Sequence, residues 1–262
     1  EVNNDEAGTT VSLIRGVLRG LKDHGYKIGG FNAYATSDVL VGAGLSSSAA
    51  FEVVVGTIIS GLYNDMKINS VEIAQISQYA ENVFFKKPCG LMDQMACSVG
   101  GMVNIDFKDP TKPIVKKVPT EFEKYDYSLC IVDTKGDHVD LTDDYAMIPS
   151  EMKKVANFLG EDYLRDCDSN EFYIRLDEIR EAVGDRPVLR AIHFFNEEYN
   201  VKNAVSSLEN GKFVEFLDAI RKSGNSSFKY LQNVYTTRDI QHQNISVALA
   251  LSESLLRNYG VC

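Results

Sequence analysis

The chain has 262 residues, enough for one large domain or two modest ones, and its 44% apolar and 24% charged residues exclude a predominantly disordered polymer. A net charge of -10 repels nucleic acid and anionic lipid, so neither is an expected partner, and no apolar run is long enough to span a bilayer. Acidity does not exclude a phosphorylated ligand, because backbone amides and a metal ion hold phosphate locally.

In chain order, Val11, Leu13, Ile14, Val17, Leu18 and Leu21 follow helical spacing, and His24-Gly25 closes that helix. Residues 30–40 (GFNAYATSDVL) read as a strand, followed by the glycine-rich VGAGLSSSAA and then FEVVVGTIISGLYN, which has the length and apolar content of a buried helix. Asn69 and Ser70 are candidate caps for a third helix with Ile73, Ile76, Ala80 and Val83 on one face. Pro88 and Gly90 interrupt, and LMDQMACSV restarts as a short helix. Residues 101–107 and 113–118 read as strands joined by a turn at Asp109-Pro110. The strongest strand signal of the second half covers 126–133, and helices follow from Asp143 to about Leu159 and between Ser169 and Asn258. The charged VPTEFEKYD stretch places a domain boundary near residue 120.

The loop Val41 to Ala50 has the chemistry of an anion cradle. Gly42 and Gly44 allow a tight turn and close approach to a ligand. Ser46, Ser47 and Ser48 stand where a helix begins, where unpaired amides and the helix dipole favour an anion. A serine hydroxyl there can also ligate Mg²⁺. The string is neither a Walker A loop, since it lacks Gly-Lys-Ser/Thr, nor GxGxxG. Two carboxylates follow, Glu81 in AENVFF and Asp93 in PCGLMDQ. Phosphoryl transfer needs one group to position the attacking hydroxyl and others to neutralise charge, and paired carboxylates can divide that work between the hydroxyl and Mg²⁺. A helix N-cap and two solvated acids are the plainer reading of the same residues.

GAGLSSSAA resembles the phosphate-binding motif of the GHMP kinases, and its triple serine resembles the galactokinase version. PCGLMDQ is similar to the galactokinase segment whose aspartate contacts the reactive hydroxyl, and the glutamate of AEN to the family's Mg²⁺ ligand. The resemblance implies ATP-phosphate contacts from Gly42, Ala43, Gly44, Leu45, Ser46, Ser47 and Ser48. It implies Asp93 as the catalytic aspartate, acting as a base or as an anchor. Glu81 with Ser48, or with Ser47, would hold Mg²⁺. Asp93, Gly90 and Cys89 would border the sugar, and Tyr145, after Asp143-Asp144, would contact it. Lys86 departs from the family, which commonly has glycine two positions before this proline.

The implied fold is α+β with two domains: an N-terminal ATP/Mg-binding domain over 1–120, like domain 2 of ribosomal protein S5, and a C-terminal domain over 121–262, a ferredoxin-like, helix-covered antiparallel sheet. The implied activity is transfer of the ATP γ-phosphoryl group to a monosaccharide, galactose to galactose 1-phosphate. Its cofactors are ATP and Mg²⁺, its partners a small sugar and ATP. The family's opening segment, like GRVNLIGEHTDY, and its closing glycine-rich motif do not occur, so an incomplete chain, inactive or weakly active alone, is expected. A sugar- and ATP-sensing homologue without catalysis is the alternative, although SSSAA and Asp93 are intact. Mevalonate or homoserine relatives usually read GLGSSAA, and Ser46 replaces that glycine. The polar, acidic opening carries no secretory signal. Five scattered cysteines without a CxxC pair, and four histidines without metal-ligand spacing, fit a reducing cytoplasm.

Overall fold

The computed structural model describes residues 2–39, 44–135 and 141–256, apart from the side chain of Thr142. The chain divides into two compact units, residues 1–120 and 121–262.

In the first unit, α1 (Thr10–Asp23) starts where Thr9 Oγ1 accepts the Ser12 N–H, and buries Leu13, Val17 and Leu21 at four-residue spacing. α2 (Ser47–Tyr63) is apolar on most sides and sends Val53, Val55 and Ile59 into the same core. α3 (Ser70–Tyr79) is capped by Asn69, whose Oδ1 accepts the Glu72 N–H at 2.9 Å, and runs on into a π-helical turn, Ala80–Phe85. α4 (Met92–Val99) buries Met95 and Gln94. The strands β1 (Val103–Asp106) and β2 (Ile114–Lys117) pair antiparallel, with Val103 opposite Lys117 and Asp106 opposite Ile114.

Close helix packing holds the π turn in place. Gly16 of α1 lies so near the turn that an added Cβ would stand 2.6 Å from Ala80 Cβ and 2.7 Å from Ala80 Cα, and at Gly20 it would meet Ile76 at 2.7 Å. Alanine improves helix propensity by about 1 kcal/mol over glycine, but a methyl pressed into backbone-level contact costs about 1–3 kcal/mol. Gly16→Ala is therefore expected to lower stability. Chemical denaturation checks this, and an unchanged or raised midpoint would show that α1 is free to move away.

The second unit is helical: α5 (Thr142–Phe158), α6 (Ser169–Ile174), α7 (Leu176–Val183), α8 (Asp185–Glu209), α9 (Phe213–Ser226) and α10 (Asn244–Leu256). Val155, Ala156, Leu164, Phe172, Ile179, Val188 and Ala191 form its core. Glu151, buried on α5, accepts from Arg186 (2.6 Å) and Arg190 (2.9 Å), so neither buried charge is left uncompensated.

Two expected strands are not formed. Residues 31–37 carry no strand pairing, and Tyr34 is 94% exposed. Residues 127–135 are likewise unpaired, with Leu129, Ile131 and Val132 exposed. Aromatic and apolar residues favour extended backbone, but a strand also needs a neighbouring backbone to satisfy its N–H and C=O groups. Among the described residues only β1 and β2 supply such a neighbour to each other. No described helix is long and apolar enough to cross a membrane.

Candidate phosphoryl-transfer site

The loop before α2 ends in a strained conformation. Gly44 has φ +72°, which glycine adopts freely, but Ser46 also lies in the left-handed region (φ 56°, ψ 46°), where a residue with a Cβ costs about 1–2 kcal/mol. Ser46 occupies the N-cap position of α2 yet makes no side-chain capping bond. Its hydroxyl instead donates to Asp93 Oδ2 at 2.6 Å, on the first turn of α4. Ser46 thus holds the N-cap position while its hydroxyl serves Asp93 in place of the helix amides. Gly42 and Ala43 lie outside the described residues. Leu45 is exposed and Ser47 opens the helix.

Two residues further on, Ser48 Oγ donates to Glu81 Oε1 at 2.9 Å. Glu81 is only 2% exposed, because the π turn that carries it is pressed against α1. Its second oxygen, Oε2, accepts from Gln94 Nε2 at 2.7 Å, and Gln94 also donates to Glu52 Oε2 at 3.3 Å. Lys87 Nζ stands 3.3 Å from Glu81 Oε1.

Adjacent residues of α4 thus serve the two serines differently. Exposed Asp93 meets Ser46 directly, while buried Gln94 braces the carboxylate that meets Ser48. Glu52 is fully buried on α2, and its Oε1 has no hydrogen-bond partner. Burial, and secondarily the negative charge of Glu81, pushes its carboxyl up to about 8, against the weaker opposing pull of Gln94 and Lys87. Near neutral pH Glu52 accordingly holds its proton.

Cys89 turns its sulfur toward Gln94 Nε2 (3.6 Å). Burial first, then Glu81, pushes its thiol up to about 12, so it is no nucleophile. Its backbone is fixed by Asn82, whose Oδ1 accepts the Cys89 N–H at 2.7 Å, and by Gln78, which donates to its carbonyl. Gly90 is exposed beside it, with open space where a Cβ would stand. Lys86, the departure noted in the sequence, adopts φ 68°, a conformation that glycine takes without strain. Tyr145 belongs to the other unit, exposed on α5; Pro149, four residues on, has no N–H to donate to its carbonyl. The neighbouring Asp144 accepts from Thr236 Oγ1 at 3.1 Å.

Ser46, Ser48, Glu81 and Asp93, the residues that the motifs single out, come together in the structure. Glu52, Gln94 and Lys87 join them without a motif to mark them. Gln94 and Lys87 lie within or beside PCGLMDQ, but nothing in their spacing signals that one is buried against Glu81 and the other bonded to it.

Residues 12–101 match the model of the GHMP kinases N-terminal domain. The curated galactokinase of Streptomyces coelicolor is 32% identical over 219 residues, covering 82% of this chain and 54% of that protein. The chain belongs to the galactokinase family of the GHMP kinases. The galactokinase of Limosilactobacillus reuteri is 30% identical over 236 residues, 88% of this chain and 58% of its own length. That of Pyrococcus furiosus is 41% identical over 107 residues, 41% of this chain and 30% of its own. This GHMP kinase chain spans about half the length of the first two relatives. A crystal structure of Lactococcus lactis galactokinase complexed with galactose superposes with a TM-score of 0.69 at 21% identity, covering 88% of this chain and 59% of that one. That likeness is one of fold, and it bears out the expected α+β GHMP architecture.

Proposed function

We propose that this chain supplies the phosphate loop and the catalytic aspartate of a sugar kinase that transfers the γ-phosphoryl group of ATP to galactose, giving galactose 1-phosphate. The observation that carries the reading is the pair of contacts at the start of α2, Ser46 to Asp93 and Ser48 to Glu81, which sets two carboxylates beside a helix N-terminus. First-turn amides without intrahelical acceptors favour phosphate there. Asp93 is exposed, so a sugar hydroxyl can reach it, and its carboxylate can orient that hydroxyl or accept its proton. Gly90 and Cys89 border the same approach, and Tyr145 is assigned a sugar contact by family resemblance.

Ser48 and Glu81 suit Mg²⁺. They offer two hard oxygen donors 2.9 Å apart, the carboxylate braced from behind by Gln94. No group of three acidic, histidine or cysteine residues that could hold a metal ion exists among the described residues, so water and phosphate oxygens would have to supply the remaining ligands. Bound there, Mg²⁺ would neutralise charge on the phosphates; Ser48 and Glu81 would hold it, while Asp93 handles the hydroxyl.

The test is ADP release by mass-verified 262-residue protein with MgATP, with and without galactose. Galactose-dependent release supports the assignment. A folded chain that binds MgATP and galactose but releases no ADP would overturn catalysis by this polypeptide and favour a sensor.

A further inference from the structure

Glu81 faces two ways. Oε2 is tied to buried Gln94, and Oε1 accepts from Ser48. On Oε1 also sits the Lys87 ammonium, 3.3 Å away. The pair is unequal, with the Glu81 side chain 3% and the Lys87 side chain 61% exposed. The lysine is not there by the chance wandering of a surface chain. Its own backbone N–H donates to the Glu81 carbonyl at 3.1 Å, which anchors it at the end of the π turn. A carboxylate buried this deeply needs a cation, and a divalent ion on Oε1 would claim the place the ammonium now holds. A lysine on a flexible, mostly solvated stem is released cheaply.

We propose that Lys87 is an exchangeable cation of the phosphate site: it neutralises Glu81 while no metal is bound, is displaced by the metal, and then pairs with the phosphate that the metal brings. This rests on the reading of Glu81 as a metal ligand. The displaced ammonium remains tethered beside Glu81, because the Lys87 backbone N–H donates to the Glu81 carbonyl at 3.1 Å. It thereby adds a point charge to a site whose other anion-binding groups are backbone amides.

The experiment measures Mn²⁺ affinity by electron paramagnetic resonance and MgATP affinity by calorimetry on wild type, Lys87→Met, Lys87→Arg and Glu81→Gln. Lys87→Met is expected to bind Mn²⁺ alone about three- to tenfold more tightly, because its competitor is gone, and MgATP about three- to tenfold more weakly. Lys87→Arg, which keeps the charge, should stay within about twofold of wild type in both. Opposite shifts in the two affinities are a signature that mere loosening of the turn does not produce. If Glu81→Gln weakens Mn²⁺ binding while Lys87→Met moves neither affinity, or moves both the same way, the exchange is overturned and the metal site stands. If Glu81→Gln leaves Mn²⁺ affinity unchanged, the metal-site reading fails and takes the exchange with it.

Discussion

Asp93→Asn is expected to lower galactose-dependent ADP release by about 10²–10⁴-fold, the range over which a positioned acid–base group contributes. Asparagine keeps the size and can still accept the Ser46 hydroxyl through its carbonyl, so the strained loop before α2 retains its contact. It removes the negative charge that orients or deprotonates the sugar hydroxyl. Asp93 is exposed on the first turn of α4, so thermal stability should change little. Ser46→Ala is the companion variant, since it removes the same hydrogen bond but leaves the carboxylate. If the Asp93 effect came only through the loop, Ser46→Ala would reproduce it. Steady-state ADP formation decides. A loss smaller than about tenfold in Asp93→Asn would remove Asp93 from the chemistry.

The second large effect concerns stability rather than turnover. Glu52 holds its proton up to about pH 8 in the folded chain, against an ordinary value of 4.5. The sign follows from proton counting. Between those pH values the native state binds a proton that the unfolded chain has released, so raising the pH favours unfolding. The contribution is fully present below about pH 4.5 and is lost as the pH climbs through 8, with a ceiling of about 1.4 kcal/mol per pH unit.

Glu52→Gln is neutral at every pH and nearly isosteric, so it escapes this loss. The variant should match the parent within about 1 kcal/mol near pH 5 and exceed it by several kcal/mol, of order 3–5, near pH 8. Denaturant titrations of both proteins at the two pH values isolate the difference from all other ionisations. A gap that does not widen with pH would mean that Glu52 is ionised in the native state. The effect bears on the site because Gln94 touches both Glu52 and Glu81. Lys87 stands 3.3 Å from the other carboxylate that Gln94 touches, Glu81.

Much of the helical frame was legible in the sequence because its causes are local. Leu13, Val17 and Leu21 repeat every four residues, and Asn69 offers a cap directly before an apolar stripe, so α1 and α3 follow from spacing and one side-chain hydrogen bond. The hairpin of β1 and β2 was equally readable, since its two strands lie within one turn of each other around Asp109. Residues 30–40 and 126–133 looked just as strand-like, but pairing is a property of two segments, and the residues of one segment do not state whether the other is beside it.

By itself the sequence determined the identity of the motif residues and their family: glycines where the loop must turn, three serines at a helix start, and two carboxylates downstream. Those residue types and intervals are visible without coordinates because they are fixed by local backbone geometry and by the ligand chemistry that such loops serve. Only the tertiary structure decided that Ser48 and not Ser47 meets Glu81, and that Ser46 meets Asp93. Ser46 reaches Asp93 because its left-handed backbone turns the hydroxyl away from a capping role, and Ser48 reaches Glu81 because a π turn packed against Gly16 carries that residue inward. The structure alone also revealed that Glu52 is buried unpaired at one oxygen and that Lys87 stands on Oε1 of Glu81. Burial and approach across 33 to 47 residues of chain depend on how helices pack. The period of a sequence records which face of a helix is apolar, not which polar groups that face will meet.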